Sequence, residues 1–261
     1  MVQKVCFIGA GKLATQLSKA MRMVGYDIVQ IYSRTEYSAK SLAEDLQCAY
    51  TTNVDKLTTE ADLYICALKD SVITEVLNQA KVFSNAKMLV HTAGSMPLNI
   101  LSRYTENYGV LYPMQTFSKT KKVDFSKVPF LIEGSNSQIV ENLKNIAEKL
   151  NSDSYNVSSE ERKKIHLAAV FVSNFANHVY ALGSDIVQTA NVPFEVLLPL
   201  IDETAEKVHY MSPKEAQSGP AVRNDRNVIE MHRSMMKEDE DLLKIYEMMS
   251  ESIYKMSKKT I

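Results

Sequence analysis

Over roughly the first 150 residues, short apolar runs rich in β-branched side chains alternate with stretches whose apolar positions recur every three to four residues. Runs without polar alternation fit strands buried on both faces, and the amphipathic stretches fit helices that cover them. The pattern therefore reads as successive βαβ units around a mainly parallel sheet. Strands are expected at 4–8, 27–33, 63–68, 87–91, 108–112 and 129–133, with helices at 13–24, 38–46, 71–82 and 137–150.

After about Asn151 the strand signal stops. Between Glu160 and Gly183 the apolar residues Ile165, Leu167, Phe171, Val172, Phe175, Val179 and Leu182 cover most of a helix surface, which predicts a central or interface helix buried on several sides. Further helices are expected at 193–211 and 238–258, with a shorter one after Gly219-Pro220. The expected organisation is an α/β domain over residues 1–152, followed by an all-helical domain over residues 153–261.

Composition narrows the function classes. The chain is 45% hydrophobic, enough for a core without metal or disulfide staples, and its 30 basic and 31 acidic residues leave a formal charge of -1. That balance gives no electrostatic reason to expect nucleic acid or an anionic membrane, so a small molecule is the expected partner. The three cysteines, Cys6, Cys48 and Cys66, are odd in number and widely spaced, which suits a reducing compartment. The N-terminal apolar run is too short for a secretion signal, and no stretch approaches ~18 uninterrupted apolar residues, so a cytoplasmic protein without a membrane span is expected.

The first specific chemistry follows the first strand directly. Gly9-Ala10-Gly11-Lys12-Leu13-Ala14 is a G-x-G-x-x-A sequence opening a helix. Gly9 permits the tight turn, Gly11 lets the backbone approach a pyrophosphate, and the small Ala14 lets helix and strand pack closely. The helix start, with Lys12 and Leu13, offers free N–H groups to phosphate oxygens. This is the fingerprint of a Rossmann-type dinucleotide site. The next strand ends in Ser33-Arg34-Thr35, where an NAD site usually carries an acid. Arginine with two hydroxyls suits a 2'-phosphate instead, so NADP is the expected cofactor. Strands ending at Ala67-Leu68-Lys69 and His91-Thr92 should border the nicotinamide half of the cleft, because ligands bind beyond the carboxyl ends of the strands. Asp70 and Ser71 read equally well as a helix N-cap.

Taken with the helical second half, Phe7-Ile8-Gly9-Ala10-Gly11, Ser33-Arg34-Thr35, Ala67-Leu68-Lys69-Asp70 and Tyr112-Pro113-Met114-Gln115-Thr116-Phe117 resemble the Rossmann-like oxidoreductases related to pyrroline-5-carboxylate reductase and deazaflavin-dependent NADP reductase. In particular they resemble a branch whose C-terminal helical domain, of unknown function, is similar to the dimerising domain of 6-phosphogluconate dehydrogenase. His166-Leu167-Ala168-Ala169, Asn174 and Ser218-Gly219-Pro220-Ala221-Val222-Arg223-Asn224-Asp225 carry the resemblance through the second half. It implies a two-domain fold, a homodimer formed through the helices and a substrate cleft between the domains. Val170 stands where related hydroxyacid dehydrogenases carry a lysine, and Tyr112 stands where a histidine precedes the proline.

Hydride transfer needs a proton donor beside the reacting carbon, and the candidates are His166, Tyr112 and His91. Asn174, eight residues beyond His166 on the same broad helix face, is a candidate carbonyl-orienting amide. His166 and Asn174 also read as hydrogen-bonded core residues. Arg223 is either a clamp for a substrate carboxylate or phosphate, or half of a structural pair with Asp225. The sequence thus points to an NADP-dependent oxidoreductase acting on a small carbonyl or imine compound, with no metal site. A non-catalytic NADP(H)-binding sensor or scaffold and a pyrroline-5-carboxylate reductase are the alternatives.

Overall fold

The computed structural model describes residues 2–80, 82–83 and 86–259. Their contacts divide the chain into two compact units, one ending at Asn174 and the other beginning at Phe175.

The first unit is built on an eight-stranded sheet of β1 (Lys4–Ile8), β2 (Asp27–Tyr32), β3 (Ala49–Thr51), β4 (Leu63–Cys66), β5 (Met88–His91), β6 (Tyr108–Pro113), β7 (Phe130–Gly134) and β8 (Ser154–Asn156), in the order β3-β2-β1-β4-β5-β6-β7-β8. Every neighbouring pair is parallel except β6 and β7. The α-helices of this unit are α1 (Lys12–Met23), α2 (Glu36–Leu46), α3 (Asp70–Gln79) and α4 (Ser137–Lys149) between strands, and α5 (Ser159–Ala169) after the last strand. The expected helix 71–82 corresponds to α3; its position 81 lies outside the described residues.

The two-residue period of β1 sorts its side chains between two cores. Val5 and Phe7 pack with Leu17 and Met21 of α1 and Leu143 and Ile146 of α4, while Cys6 and Ile8 pack with Ile73, Val76 and Leu77 of α3. Because β1 lies between β2 and β4, the chain changes direction across the sheet at β1, which opens a crevice at its carboxyl end.

Two three-residue strands depart from the expectation, β3 and β8, both at sheet edges where half the backbone bonding is absent and the apolar signal is correspondingly weak. The unit boundary also falls later than 152/153. β8 pairs with β7, and the Arg162 guanidinium ties α5 to Glu133 of β7, so both belong with the sheet.

The second unit is helical: α6 (Ala176–Thr189), a 3-10 turn at Phe194–Leu197, α7 (Leu198–Lys207), α8 (Pro213–Ala216), α9 (Pro220–Arg223), α10 (Arg226–Met235) and α11 (Glu240–Lys258). The chain is helical without a break from Ser159 to Thr189, and the segment Val170–Phe175 is wound as a π-helix. By length and composition this 31-residue helix is apolar enough to cross a membrane, its 18-residue apolar window reaching a mean hydropathy of 1.2, although Ser173, Asn174, Asn177 and His178 interrupt its middle. The expectation that it is buried on several sides fails within one chain. No residue of α6 is buried, and Phe171 and Val172 are 61% and 78% exposed. The chain's own packing leaves that apolar surface uncovered.

Candidate functional site

Gly9 sits at φ +120°, a conformation side-chain-bearing residues rarely adopt, and an added Cβ there would lie 2.4 Å from the carbonyl oxygen of Ala67. The turn from β1 into α1 thus requires glycine for both backbone and packing reasons. At Gly11 the opposite holds, since an added Cβ would meet no protein atom within 4 Å. Gly11 is the N-cap of α1 and supplies no side-chain cap, so no side chain claims the first-turn N–H groups of α1. No acid lies in that turn, and Ala14 is fully buried against the sheet. This open, glycine-lined helix start fits a pyrophosphate.

At the end of β2, Ser33, Arg34 and Thr35 lead into α2, whose N-cap Thr35 likewise accepts no side-chain capping bond. The Ser33 and Thr35 hydroxyls lie 3.4 Å apart, and the exposed Arg34 has no carboxylate partner among the described residues. Glu36 is engaged by the Tyr50 hydroxyl at 3.3 Å. Two hydroxyls and an arginine thus stand in succession at the end of β2, with the first acid, Glu36, already bound by Tyr50, a set that fits a 2'-phosphate.

At the ends of β4 and β5 the expected cap is absent. Lys69 occupies the N-cap of α3, and Asp70, the first helical residue, accepts a hydrogen bond from the Ser95 hydroxyl. Ala67 and Leu68 are half-buried beside Gly9 and Lys69 is exposed. The Thr92 hydroxyl is buried and donates to the Cys66 carbonyl at 3.4 Å, so its polar group is committed to the sheet. His91 is fully buried; its Nδ1 accepts from the Ala93 N–H at 3.2 Å, and burial pushes its pKa down to about 3. A neutral, enclosed imidazole of this kind is a packing residue, and His91 drops out as a proton donor.

A cavity of about 490 Å³ opens beside the carboxyl end of β6. Its walls are apolar through Met114, Ile165, Ala168, Ala169, Val170 and Val172, and its polar groups are Tyr112, Gln115, Thr116, His166, Ser173 and Asn174. The Tyr112 hydroxyl and His166 Nδ1 lie 3.0 Å apart, with the two rings edge to face at 5.9 Å. Burial, and after it the charge of Asp70, push the Tyr112 hydroxyl above its ordinary range, so it stays a protonated phenol near neutrality. The pair offers a phenol proton hydrogen-bonded to an imidazole. Asn174, at the far end of the π-helical turn, reaches the same cavity, and no hydrogen bond engages its amide among the described residues. π-Helical turns recur at functional sites because they re-aim side chains within a helix.

The sequence reading gave Gly94 no role beyond its place in the loop after the fifth strand. A Cβ there would lie 2.7 Å from His166 Nδ1 and 2.9 Å from Tyr112 Cζ, so glycine leaves the room in which the pair meets. The sequence reading missed Arg162, which is fully buried and donates to Glu133 at 2.5 Å and to the Met96 carbonyl at 2.6 Å. Arg223 belongs to the second unit, exposed at the end of α9. Asp225 caps α10 through the Val228 N–H, and the described residues show no Arg223–Asp225 ion pair. No metal-ligating cluster occurs among the described residues.

Two family models match the chain: "NADP oxidoreductase coenzyme F420-dependent" over residues 4–94, and a domain of unknown function, DUF2520, over residues 128–253. No functionally curated protein matches it in sequence. Among solved structures it is similar to BF3122 of Bacteroides fragilis, provisionally named an NADP oxidoreductase, with 47% identity over 97% of this chain and 98% of that one and a TM-score of 0.91. It shares its fold with the Plasmodium falciparum pyrroline carboxylate reductase with NADP bound (13% identity, 98% of each chain, TM-score 0.62). It shares it also with a Streptomyces aurantiacus imine reductase (12% identity, 99% of each chain, TM-score 0.71). With its glycine-rich turn at the sheet crevice and a relative of this identity over nearly its whole length, the chain belongs to the NADP oxidoreductase family, in a branch with a DUF2520 C-terminal domain.

Proposed function

We propose that the chain is an NADP(H)-dependent enzyme that exchanges hydride with a small carbonyl or imine compound, and that the Tyr112–His166 pair is its proton donor. The observation that carries this reading is the 3.0 Å phenol–imidazole contact inside a largely apolar cavity at the carboxyl end of the sheet. Gly9, Gly11, Lys12, Leu13 and Ala14 would hold the pyrophosphate, Ser33, Arg34 and Thr35 the 2'-phosphate, and Ala67, Leu68, Lys69 and Thr92 would border the nicotinamide. When bound, the nicotinamide supplies or takes the hydride. The chain's own part is to exclude water with Met114, Ile165 and Val170, to orient a carbonyl or imine with the Asn174 amide, and to pass a proton from the Tyr112 hydroxyl, replenished through His166.

The test is NADPH-dependent turnover over a panel of ketones, aldehydes and cyclic imines that includes pyrroline-5-carboxylate. Tyr112→Phe and His166→Gln are each expected to lower turnover by about 100-fold with NADPH affinity unchanged, the size general acid catalysis usually carries. Turnover indifferent to both substitutions contradicts the proton-donor assignment. NADPH binding with no hydride transfer to any compound would turn the reading to a sensor or scaffold.

The working form is proposed to be a cytoplasmic homodimer. The second unit leaves large apolar side chains such as Leu200 and Met235 64% and 79% exposed, surface that a second copy of the chain would cover. Three free cysteines fit a reducing compartment. Light scattering of the purified protein is expected to give twice the chain mass of 29.4 kDa, and a monomeric mass removes this element.

A further inference from the structure

Among the described residues Arg162 is the largest fully buried side chain, and it lies one helical turn before His166 on the same face of α5. Its Nη1 donates to Glu133 Oε2 at 2.5 Å, and its Nη2 donates to the Met96 carbonyl at 2.6 Å and to Ser159 Oγ at 3.3 Å. The Ser159 N–H and hydroxyl donate to the two Glu133 carboxylate oxygens at 2.9 and 2.8 Å, and Ser159 Oγ accepts from the Leu98 N–H at 2.9 Å. One network thus joins β7, the loop that follows β5 and the first turn of α5, with Arg162 wholly buried and Glu133 and Ser159 partly so. That loop carries Gly94, which abuts both His166 and Tyr112.

The network is not needed to start the helix. Ser158 already caps α5, with Glu161 completing a reciprocal capping box. Nor is burying an ion pair an efficient route to stability, because desolvation offsets most of the attraction and apolar replacements often serve as well. What such a network does supply is a single geometry, since a planar guanidinium with fixed donor directions tolerates little displacement of its acceptors.

We propose that Arg162, Glu133 and Ser159 are positioning residues that hold the register of α5 and the Gly94 loop at the one setting in which the Tyr112 phenol meets His166 Nδ1. The kinetic consequence rests on the reading of that pair as the proton donor; the geometric consequence does not.

The experiment compares wild type with Glu133→Gln, Arg162→Lys and Ser159→Ala in the full-length protein. It reads melting temperature, NADPH affinity, the ring ¹⁵N resonances of His166 with their pH titration, and kcat and KM for a substrate found by the panel. Expected for Glu133→Gln are NADPH affinity within twofold of wild type, displaced His166 resonances, and kcat lowered at least tenfold with KM changed less than threefold. Arg162→Lys, which keeps the charge but cannot reach Glu133 and Met96 together, is expected to fall between Glu133→Gln and wild type. Ser159→Ala leaves the ion pair and the Ser158 cap in place and is expected to shift the same resonances; it decides the matter should Glu133→Gln not fold. Wild-type His166 resonances and kcat in a folded variant of Glu133 or, failing that, of Ser159 overturn the proposal. If the resonances move while His166→Gln and Tyr112→Phe leave turnover intact, the positioning role stands and the proton-donor reading falls alone.

Discussion

Gly94→Ala is expected to lower turnover by about a hundredfold while leaving NADPH affinity within a factor of two. The methyl group would sit 2.7 Å from His166 Nδ1, 2.9 Å from His166 Cγ and 2.9 Å from Tyr112 Cζ, all well inside van der Waals contact. The half-exposed imidazole can yield towards the cavity, so the fold should lose only about 1–3 kcal/mol, the usual cost of one excess methyl in a packed site. The two rings cannot both yield and still keep a 3.0 Å hydrogen bond. Steady-state kinetics beside a urea melt separates these effects. Undiminished turnover in Gly94→Ala would mean that the pair's contact is irrelevant to the chemistry.

Gly9→Ala is expected to do more general damage. Its Cβ would lie 2.4 Å from a backbone oxygen of β4's continuation, at a φ of +120° that L-residues avoid, and neither Gly9 nor Ala67 can move without displacing β1 or β4 at the centre of the sheet. Backbone strain of this type costs about 1–3 kcal/mol before the clash is added, so a loss of about 3 kcal/mol or more is expected, with NADPH binding abolished. Chemical denaturation and nucleotide titration check the two parts. A variant as stable as wild type that still bound NADPH would show that the turn tolerates a side chain, contrary to the reading of the first glycine.

What the sequence disclosed about this protein was what is written locally. The run Val5 to Ile8, the two glycines and Ala14 lie within ten residues of one another, and each answers a local requirement of strand, turn or helix start. The junction of Tyr112 with His166 depends on partners 54 residues apart, yet both are candidates in the sequence because the stretches Tyr112 to Phe117 and His166 to Ala169 carry the family resemblance. Arg162 was hidden for the converse reason. It stands in Ser159-Glu160-Glu161-Arg162-Lys163-Lys164, which reads as a solvated helix start, and only the fold brings Glu133 to it across 29 residues. The role of Gly94 escaped because its constraint is imposed by two side chains from β6 and α5 rather than by its own φ. The apolar stripe from Leu167 to Val179 was legible as a surface needing cover, but a sequence cannot show whether that cover comes from within the chain.

The central claim is the cofactor, and its most direct test is a fluorescence titration of the purified protein with NADPH and NADH in parallel, repeated on Arg34→Ala. The expected result is NADPH binding at least tenfold tighter than NADH, equivalent to about 1.4 kcal/mol, with that preference erased by Arg34→Ala. Equal affinity for the two nucleotides in the wild-type protein, or a preference that survives loss of the Arg34 guanidinium, would contradict it.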